Sequence, residues 1–290
     1  MSSMNSLSTI ERAKVISVLV EGNSLRATAR ITGVARMTVE KLLRDLGTAC
    51  AMHHNSTVRN LQSARVQCDE IWSFVGAKQK NVTPALAAKG LAGDVWTWVA
   101  MDADTKLVCS WMVANRDSHA ARAFVKDLKS RLANRVQLTT DGLKFYFHAV
   151  AEYFDDEVDY AVLHKIYGGT ADESGVNTRY SPAKCLGCEK KPKIGRPDPE
   201  HISTSYIERQ NLTMRMSMRR FTRLTNGFSK KIEMHAHNVA LHFTYYNFCK
   251  IHQTLRITPA MQSGLSDHVW SLEELVELLS FSKPSEALSA

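Results

Sequence analysis

The first fifty residues carry hydrophobic positions at the three- and four-residue spacing of amphipathic helices. In ERAKVISVLVEG, one face collects five apolar residues, Ile10, Ala13, Ile16, Leu19 and Val20. Ser8 or Thr9 can cap this helix, and SLRATARITG and ARMTVEKLLRDLG predict two further short helices. The expected helix ends are three glycines, Gly22, Gly33 and Gly47. Three short helices joined by tight turns predict a helix-turn-helix over residues 1–50.

In a helix-turn-helix, the last helix lies in the major groove of DNA with its N-terminal residues against base edges. Base-edge contacts are therefore expected from Arg36, Thr38 and Lys41. Phosphate contacts are expected from Arg26, Arg30 and Arg44. The alternative is a small helical bundle with solvated arginines, but small residues around the turn suit a close helix crossing and favour DNA binding.

From about Arg65 the hydrophobic period changes from that of helices to that of strands. VQCDEIWSFVG and DVWTWVAMDADTKLVCSWMVANRD predict three antiparallel strands, with a turn at residues 102–106. SHAARAFVKDLKSRL, RVQLTTDG, FYFHAVAEYF and VDYAVLHKIYG then predict helix, strand, helix and strand. The fold class is therefore α/β, with a mixed five-stranded sheet in the order β-β-β-α-β-α-β.

The strand RVQLTTDG ends at an aspartate, Asp141. A right-handed crossover brings this strand beside an earlier one, and if that neighbour is the first strand, Asp69 lies near Asp141. Sites in open sheets gather outside the carboxyl ends of parallel strands. Each aspartate alone also has an ordinary structural interpretation, because Asp-Gly favours turns and Asp69 stands near the start of its strand.

A third carboxylate, Glu208, stands in STSYIERQNLTMRMSMRRFTRL, which the pattern predicts as one long helix. At 100° per residue, Arg215 and Arg219 fall within about 20° of Glu208 on that helix. An acid that continues into a basic stripe suits a site for metal ions and phosphate. The alternative is a capping box formed by Ser205 and Glu208.

Charge and composition limit the classes of molecule that the protein can be expected to bind. Thirty-seven Lys and Arg against 29 Asp and Glu give a net charge of +8, which favours a polyanion. No secretory signal or long apolar run is present in the sequence, so a cytoplasmic, nucleoid-associated protein without a membrane partner is expected. The six cysteines are expected to be free thiols. Cys185-x-x-Cys188 is half of a zinc site with no second pair, so structural zinc is not expected.

Residues 168–204 are rich in Gly, Pro and Lys and show no hydrophobic period. We interpret them as a basic loop inserted in the catalytic domain, since long loops in compact domains are often functional. Phosphate contacts are expected from Lys190, Lys191, Lys193 and Arg196. A solvated insertion without function is the alternative. His235 and His237 lie about 200° apart on a predicted helix and cannot hold one metal together.

Four segments resemble one known family. CDEIWSFVGAK, TTDG, HISTSYIERQNLTMRMSMRRFTRLTNGFSKK and YYNFCKIHQTLRITPAM are similar to the insertion sequence 1 family of bacterial DDE transposases, over a span from about Ser8 to Leu279. The resemblance implies a ribonuclease H-like catalytic core, with Asp69, Asp141 and Glu208 as catalytic metal ligands. It also implies supporting contacts from Arg209 and Asn211.

What the family implies beyond its fold is a chemistry and a set of partners. Two Mg²⁺ or Mn²⁺ ions, roughly 3.5 to 4 Å apart, suit a carboxylate triad that displaces oxygen at phosphorus. The expected activity is cleavage at the ends of the mobile element in double-stranded DNA, followed by strand transfer. A homodimer or larger assembly on DNA is implied.

We therefore expect four segments in the chain, namely a helix-turn-helix (1–50), a linker (51–64), a catalytic domain (65–252) and a C-terminal helical tail (253–290). Two alternatives stay open. One is a catalytically silent helix-turn-helix regulator or domesticated transposase, against which the three intact carboxylates argue. The other is a metal-dependent nuclease without strand transfer.

Overall fold

The computed structural model describes residues 7–88, 92–168, 185–222 and 225–281. The helices in these ranges are α1 (Thr9–Val20), α2 (Leu25–Thr32), α3 (Arg36–Thr57), α4 (Pro84–Ala87), α5 (Ser118–Arg131), α6 (Lys144–Phe154), α7 (Ser205–Ser217), α8 (Ile232–Thr244), α9 (Pro259–Gln262) and α10 (Leu272–Phe281). The strands are β1 (Arg65–Val75), β2 (Gly93–Asp102), β3 (Val108–Ala114), β4 (Val136–Thr140), β5 (Val158–Tyr167) and β6 (Cys185–Ile194).

The six strands form one mixed sheet in the order β3-β2-β1-β4-β5-β6. β1 pairs antiparallel with β2 and parallel with β4, and β4 pairs parallel with β5. The first five strands therefore have the order and directions of a ribonuclease H-like core, which confirms the predicted fold class. The crossover brings β4 beside an earlier strand, as expected, and that strand is β1.

The sixth strand, β6, was not predicted, because its sequence falls in the segment interpreted as a loop. β6 pairs antiparallel with β5 at the edge of the sheet and is exposed along most of its length. A strand without a buried face shows no hydrophobic alternation, and Pro192 is tolerated because the strand lies at an edge. The strand carries three of the predicted phosphate-binding lysines, Lys190, Lys191 and Lys193.

Two hydrophobic clusters cover the two faces of the sheet. On one face, α5 and α6 pack over β1, β2 and β4 around Trp98, Phe124 and Tyr146. On the other face, α7 and α8 pack over β1 to β3 around Ile207 and Phe243. The sheet is therefore the middle layer of the fold, and the carboxyl end of β4 lies between the two helical layers.

The N-terminal helices begin as predicted, but the third one is longer. Ser8 caps α1 in a capping box with Glu11, and Gly33 ends α2 in a left-handed conformation with φ 75°. α3 does not end at Gly47 but continues to Thr57.

The reason for Gly47 is a close helix crossing. A Cβ atom at this position would lie 2.5 Å from Cβ of His237 on α8. The glycine therefore allows α3 and α8 to approach and does not stop the helix. Half of the predicted linker, residues 51–57, accordingly belongs to α3.

A third hydrophobic cluster joins the N-terminal helices to the C-terminal region. It contains residues of α1, α3, α8 and α10, among them Ile16, Leu43, Leu241 and Leu275. The predicted apolar face of α1 is buried in it except for Ile10, which is 72% exposed. Within the described residues, no helix is both long enough and apolar enough to span a membrane.

Candidate active site

Asp69 and Asp141 meet at the point where β1 and β4 diverge. The parallel register ends with Cys68 opposite Thr140, so the next residue of each strand is an aspartate. β1 continues for six more residues, to Val75, while β4 stops. The two carboxylates therefore lie side by side at the carboxyl end of β4, as the sequence predicted.

Asp141 also forms the turn that its Asp-Gly sequence favours. Its Oδ1 accepts a hydrogen bond of 3.0 Å from the backbone N–H of Leu143. At Gly142 a Cβ atom would lie 2.5 Å from the ring of His164 on β5, so a larger residue there would have to displace that ring. The turn interpretation and the site interpretation thus hold together.

A third carboxylate, Glu70, joins the two aspartates and was not predicted. One carboxylate oxygen from each of Asp69, Glu70 and Asp141 lies within 4.8 Å of the others, which is the only such group of potential metal ligands among the described residues. Side chains alternate along a strand, so the sequence places Glu70 on the face opposite Asp69. The two consecutive acids in CDE were the only hint in the sequence. The structure shows that the side chains of both Asp69 and Glu70 approach Asp141.

Arg116 follows β3 and contacts two of these acids. Its Nε lies 3.2 Å from Oε2 of Glu70, and its Nη2 lies 4.0 Å from Oδ2 of Asp141. Its guanidinium group also covers the ring of Trp96, at 4.6 Å from the ring centre. Arg116 therefore neutralises part of the charge at the site.

Burial and mutual repulsion raise the pKa values of two of these acids despite the contact with Arg116. Burial and then repulsion from Asp141 raise the pKa of Asp69 to about 7, although hydrogen bonds to Asp69 oppose this rise. Burial, Asp141 and Asp69 raise the pKa of Glu70 to about 8, against the lowering effect of Arg116. Glu70 is only 7% exposed, and its Oε1 has no hydrogen-bond partner of good geometry. The arrangement concentrates negative charge that a cation can relieve.

Glu208 lies near this group but is not part of it. It is on the first turn of α7, where it forms an ion pair with Lys165 of β5. Its Oε1 accepts a hydrogen bond of 2.6 Å from the hydroxyl of Thr204. Glu208 is close enough to raise the pKa of Asp69. The capping-box alternative is absent, because α7 is preceded by Thr204 and Ser205 is its first residue.

Asn211 links α7 directly to the first aspartate. Its Nδ2 donates a hydrogen bond of 2.8 Å to Oδ2 of Asp69, while its own Oδ1 is buried without a partner. Arg209, on the same helix, is exposed, and Arg215 is half-buried. The helix ends at Ser217, so Arg219 does not continue the basic stripe on its face; it belongs to a 3₁₀ turn, Arg219–Phe221. The chain turns there to bury Met218 and Phe221 against the sheet.

The predicted DNA-contact residues of the N-terminal helices are all exposed, namely Arg26, Arg30, Arg36, Thr38, Lys41 and Arg44. Lys41 pairs with Asp45 over 2.5 Å, and Arg44 lies 3.7 Å from Glu40. Exposed pairs of this kind are weak and can exchange an acidic partner for a phosphate.

A basic cleft lies between these helices and the segment that follows α7. It encloses about 570 Å³ and is lined by six cationic side chains, Arg26, Arg36, Arg219, Arg220, Lys230 and Lys231. Glu40 is the one acid of its lining. Arg220 is half-buried; it donates hydrogen bonds to the hydroxyl of Ser229 (3.2 Å) and the carbonyl of Met234 (2.9 Å). Burial lowers the pKa of Arg220 to about 10.

The remaining predicted phosphate contacts lie at the β6 edge. Lys190 donates to the carbonyl of Pro199, Lys191 pairs with Glu189 over 2.9 Å, and Lys193 and Arg196 are exposed. The predicted loop continues over residues 169–184, which lie outside the described residues. The cysteines of Cys185-x-x-Cys188 are free and exposed.

The segment from β2 to just beyond β5 carries a family signature. Residues 92–174 match the family model DDE_Tnp_IS240, whose description is a DDE domain. This segment is therefore similar to the DDE domain of insertion-sequence transposases. The expected class is thereby confirmed, although the matching model refers to IS240 and the sequence motifs resemble insertion sequence 1. The match to the DDE domain includes Asp141, whereas Asp69 and Glu208 lie outside it.

Other comparisons add little to the DDE domain match. No curated protein matches the chain significantly. Among solved structures, a piggyBac transposase synaptic complex with hairpin DNA is 12% identical, with 99% of this chain and 77% of that chain covered. Its TM-score of 0.37 is too low for any residue to be transferred between the two chains.

Proposed function

We propose that this protein is a transposase that binds the ends of an insertion sequence and catalyses metal-dependent cleavage and strand transfer of DNA. The observation that carries the proposal is the meeting of Asp69 and Asp141 at the end of β4, in a ribonuclease H-like sheet whose central segment matches a DDE domain. The catalytic triad we assign is Asp69, Asp141 and Glu208.

The residues at this site fit divalent metal ions. Carboxylate oxygens are the hard ligands that Mg²⁺ and Mn²⁺ prefer. Glu70 Oε1 and Asn211 Oδ1 are buried without hydrogen-bond partners, and clustered acids with raised pKa values favour a bound cation. Asp69 and Asp141 would hold the ions, with Glu208 completing the set once it exchanges Lys165 for metal. Two such ions activate an attacking oxygen and stabilise the leaving oxygen.

The protein's own groups orient these ligands. Asn211 fixes the carboxylate of Asp69, and the turn at Leu143 fixes that of Asp141. Arg116 holds Glu70 and offsets its charge, so that the pair of aspartates is not repelled further. In the proposed reaction, water first frees a 3′-hydroxyl at the element end, and that hydroxyl then attacks a target phosphodiester. No covalent intermediate with the protein is required.

Binding of double-stranded DNA is proposed at the N-terminal helices and the basic cleft. Arg36, Thr38 and Lys41 are exposed on the first turns of α3, where a recognition helix contacts base edges. The cleft extends from α2 and α3 toward the segment after α7. A DNA backbone bound along the cleft would therefore run from the N-terminal helices toward the catalytic domain. Lysines of β6 are proposed as further phosphate contacts. We propose that a homodimer or larger assembly brings two element ends together, and that the protein acts on the nucleoid in the cytoplasm.

The test is cleavage and joining of a labelled element-end duplex in Mg²⁺ or Mn²⁺ at constant salt. Asp141→Asn and Glu208→Gln are expected to abolish both products while DNA binding persists. Glu200→Gln, which changes an exposed acid outside the site, is the matched control and should keep full activity. A fourth variant, Glu70→Gln, decides whether the third ligand is Glu208 alone.

The outcomes separate the alternatives. Cleaved products without joined products indicate a nuclease. Binding without cleavage, unchanged by metal, indicates a regulator and contradicts the proposal.

A further inference from the structure

Three aromatic side chains lie along the sheet next to the acidic group, which consists of Asp69, Glu70 and Asp141. Trp72 and Phe74 lie on the same face of β1 as Glu70, and Trp96 on β2 is the register partner of Trp72. We call Trp72, Phe74 and Trp96 the aromatic stripe. At about 3.3 Å per residue, Trp72 stands roughly 7 Å and Phe74 roughly 13 Å beyond Glu70 along the strand.

The stripe is not part of the hydrophobic core. Trp98, two residues after Trp96 on the same face, is fully buried beneath α5 and α6. Trp72, Phe74 and Trp96 lie where β1 and β2 extend past the end of β4, and all three are half-buried. The face thus changes from covered to accessible within one side-chain repeat.

Cations accompany each ring of the stripe. The guanidinium of Arg116 lies over Trp96, and Nζ of Lys78 lies 5.8 Å from the ring centres of both Trp72 and Phe74. A cavity of about 530 Å³ opens beside Trp72 and is also lined by Lys78 and Lys80. Half-exposed rings accompanied by cations are the pattern of single-stranded nucleic-acid sites, where bases stack and cations contact phosphates.

The stripe also connects the two regions assigned to DNA. At one end Arg116 contacts both Trp96 and Glu70 of the acidic group. At the other end Phe74 stacks on Phe228 with ring centres 4.9 Å apart, and Phe228 lines the basic cleft. A DNA strand that runs from the cleft to the acids therefore passes over the aromatic stripe.

We propose that the aromatic stripe stacks unpaired bases of the DNA strand next to the cleaved phosphodiester. The inference rests on the proposed function for its position in the reaction, but the binding of unpaired bases is measurable without catalysis. Stacking is tolerant of base identity, so the ligand class is single-stranded DNA of any sequence. The aromatic stripe would keep the bases of the terminal nucleotides unpaired during cleavage at the carboxylate site.

The experiment uses the full-length chain and a thymidine oligonucleotide that carries one 2-aminopurine. The fluorescence of this base falls when it stacks on a ring. Trp72→Ala is expected to weaken binding by about 5- to 150-fold, the equivalent of one lost base stack. Trp72→Phe should retain most of the affinity and most of the quenching. Trp270→Phe, in a ring cluster with Phe248 and His53 outside the stripe, is the matched control and should bind like the native chain.

Salt dependence distinguishes stacking from charge. Trp72→Ala removes no phosphate contact, so its slope of log affinity against log salt should equal that of the native chain. Lys80→Gln should lower that slope by about 0.7. Circular dichroism of Trp72→Ala should match that of the native chain, and Phe74→Ala gives a second measurement if it does not.

Three results would overturn the inference. They are unchanged single-strand binding in both Trp72→Ala and Phe74→Ala, an equal loss for single-stranded and duplex DNA, and a change in sedimentation alone, which would make the stripe a self-association surface. If the native chain quenches 2-aminopurine fluorescence but does not cleave DNA, the proposed function is contradicted and the stripe is still a binding site for unpaired bases.

Discussion

Nδ2 of Asn211 lies 2.8 Å from Oδ2 of Asp69, and this hydrogen bond joins α7 to the central strand of the sheet at the acidic group. An amide donor orients a carboxylate without adding charge, which is the usual task of groups that support metal ligands. The bond also lowers the pKa of Asp69, against the larger effect of burial.

Replacement of this amide gives the first prediction. Asn211→Ala should raise the Mg²⁺ concentration needed for half-maximal cleavage by about 10- to 100-fold, because Asp69 loses the group that orients it. A Mg²⁺ titration of the cleavage rate measures the change. Thr213→Ala, which alters a hydroxyl of the same helix that bonds only to a backbone carbonyl, is the control. Equal titration curves for Asn211→Ala and the native chain would show that the bond has no role in catalysis.

The core of the site could be predicted from sequence because it depends on backbone order. The strand RVQLTTDG, its position after a helix and the right-handed crossover place Asp141 beside one of the earlier strands, and the pairing of β4 with β1 brings it beside Asp69. Glu70 could not be predicted, because strand alternation assigns it to the other face and its approach to Asp141 depends on where β4 stops. The length of α3 was missed because Gly47 has two possible roles, helix end and close crossing, and only the position of His237 distinguishes them. β6 was missed because an edge strand without a buried face has no periodic signal.

Metal binding should depend on pH in a defined direction. The raised pKa values of Asp69 (about 7) and Glu70 (about 8) mean that the folded protein binds protons more tightly than the unfolded chain does. The stability linked to these protons is complete below pH 4 and is lost as the pH rises through 7 and 8. Without metal, the melting temperature should therefore fall between pH 7 and 8.

Added Mg²⁺ should reverse that fall, and its effect should grow with pH because the ion competes with protons. Thermal denaturation with Mg²⁺ and with a chelator measures both effects. In Asp69→Asn, the fall between pH 7 and 8 should be smaller and the response to Mg²⁺ should be reduced. A native chain whose melting temperature does not respond to Mg²⁺ at pH 8 would count against the metal site.

The close crossing of α3 and α8 predicts a destabilising glycine substitution. Alanine stabilises an open helix interior by about 0.5 to 1 kcal/mol relative to glycine. At position 47 the sign should reverse, because the new methyl group would meet the backbone and Cβ of His237 at 2.5 to 2.7 Å. We expect Gly47→Ala to cost about 1 to 3 kcal/mol of unfolding free energy in urea denaturation. Gly187→Ala, where the added methyl group has open space, is the control. A neutral Gly47→Ala would show that the helices separate easily.

Three buried histidines predict a loss of stability in acid. Burial lowers the pKa values of His54, His235 and His242 to about 3. Because the unfolded chain binds protons near pH 6.5 and these folded side chains do not, stability is complete above pH 6.5 and is lost as the pH falls toward 3. The loss at pH 5 is roughly 2 kcal/mol for each histidine.

Urea denaturation at pH 7.5 and pH 5 tests this expectation. His235 lies 2.8 Å from the hydroxyl of Ser229 and 3.3 Å from that of Ser73, so His235→Gln can keep a polar contact while it removes the titration. This variant should lose less stability between the two pH values than the native chain. An equal loss would mean that His235 is protonated in the folded state.

The basic cleft predicts a change in the salt dependence of DNA binding. Arg219 and Lys230 are exposed members of its lining, so their replacement by glutamine should remove phosphate contacts with little effect on folding. Each variant should lower the slope of log affinity against log salt by about 0.9 for duplex DNA, the contribution of one neutralised phosphate. Lys14→Gln changes an exposed lysine of α1 that is not in the lining and should keep the native slope. Arg220 is unsuitable for this purpose because its hydrogen bonds to Ser229 and Met234 also hold the chain. If the slopes of all three variants equal that of the native chain, duplex DNA does not enter the cleft, and the positive charge there has another partner.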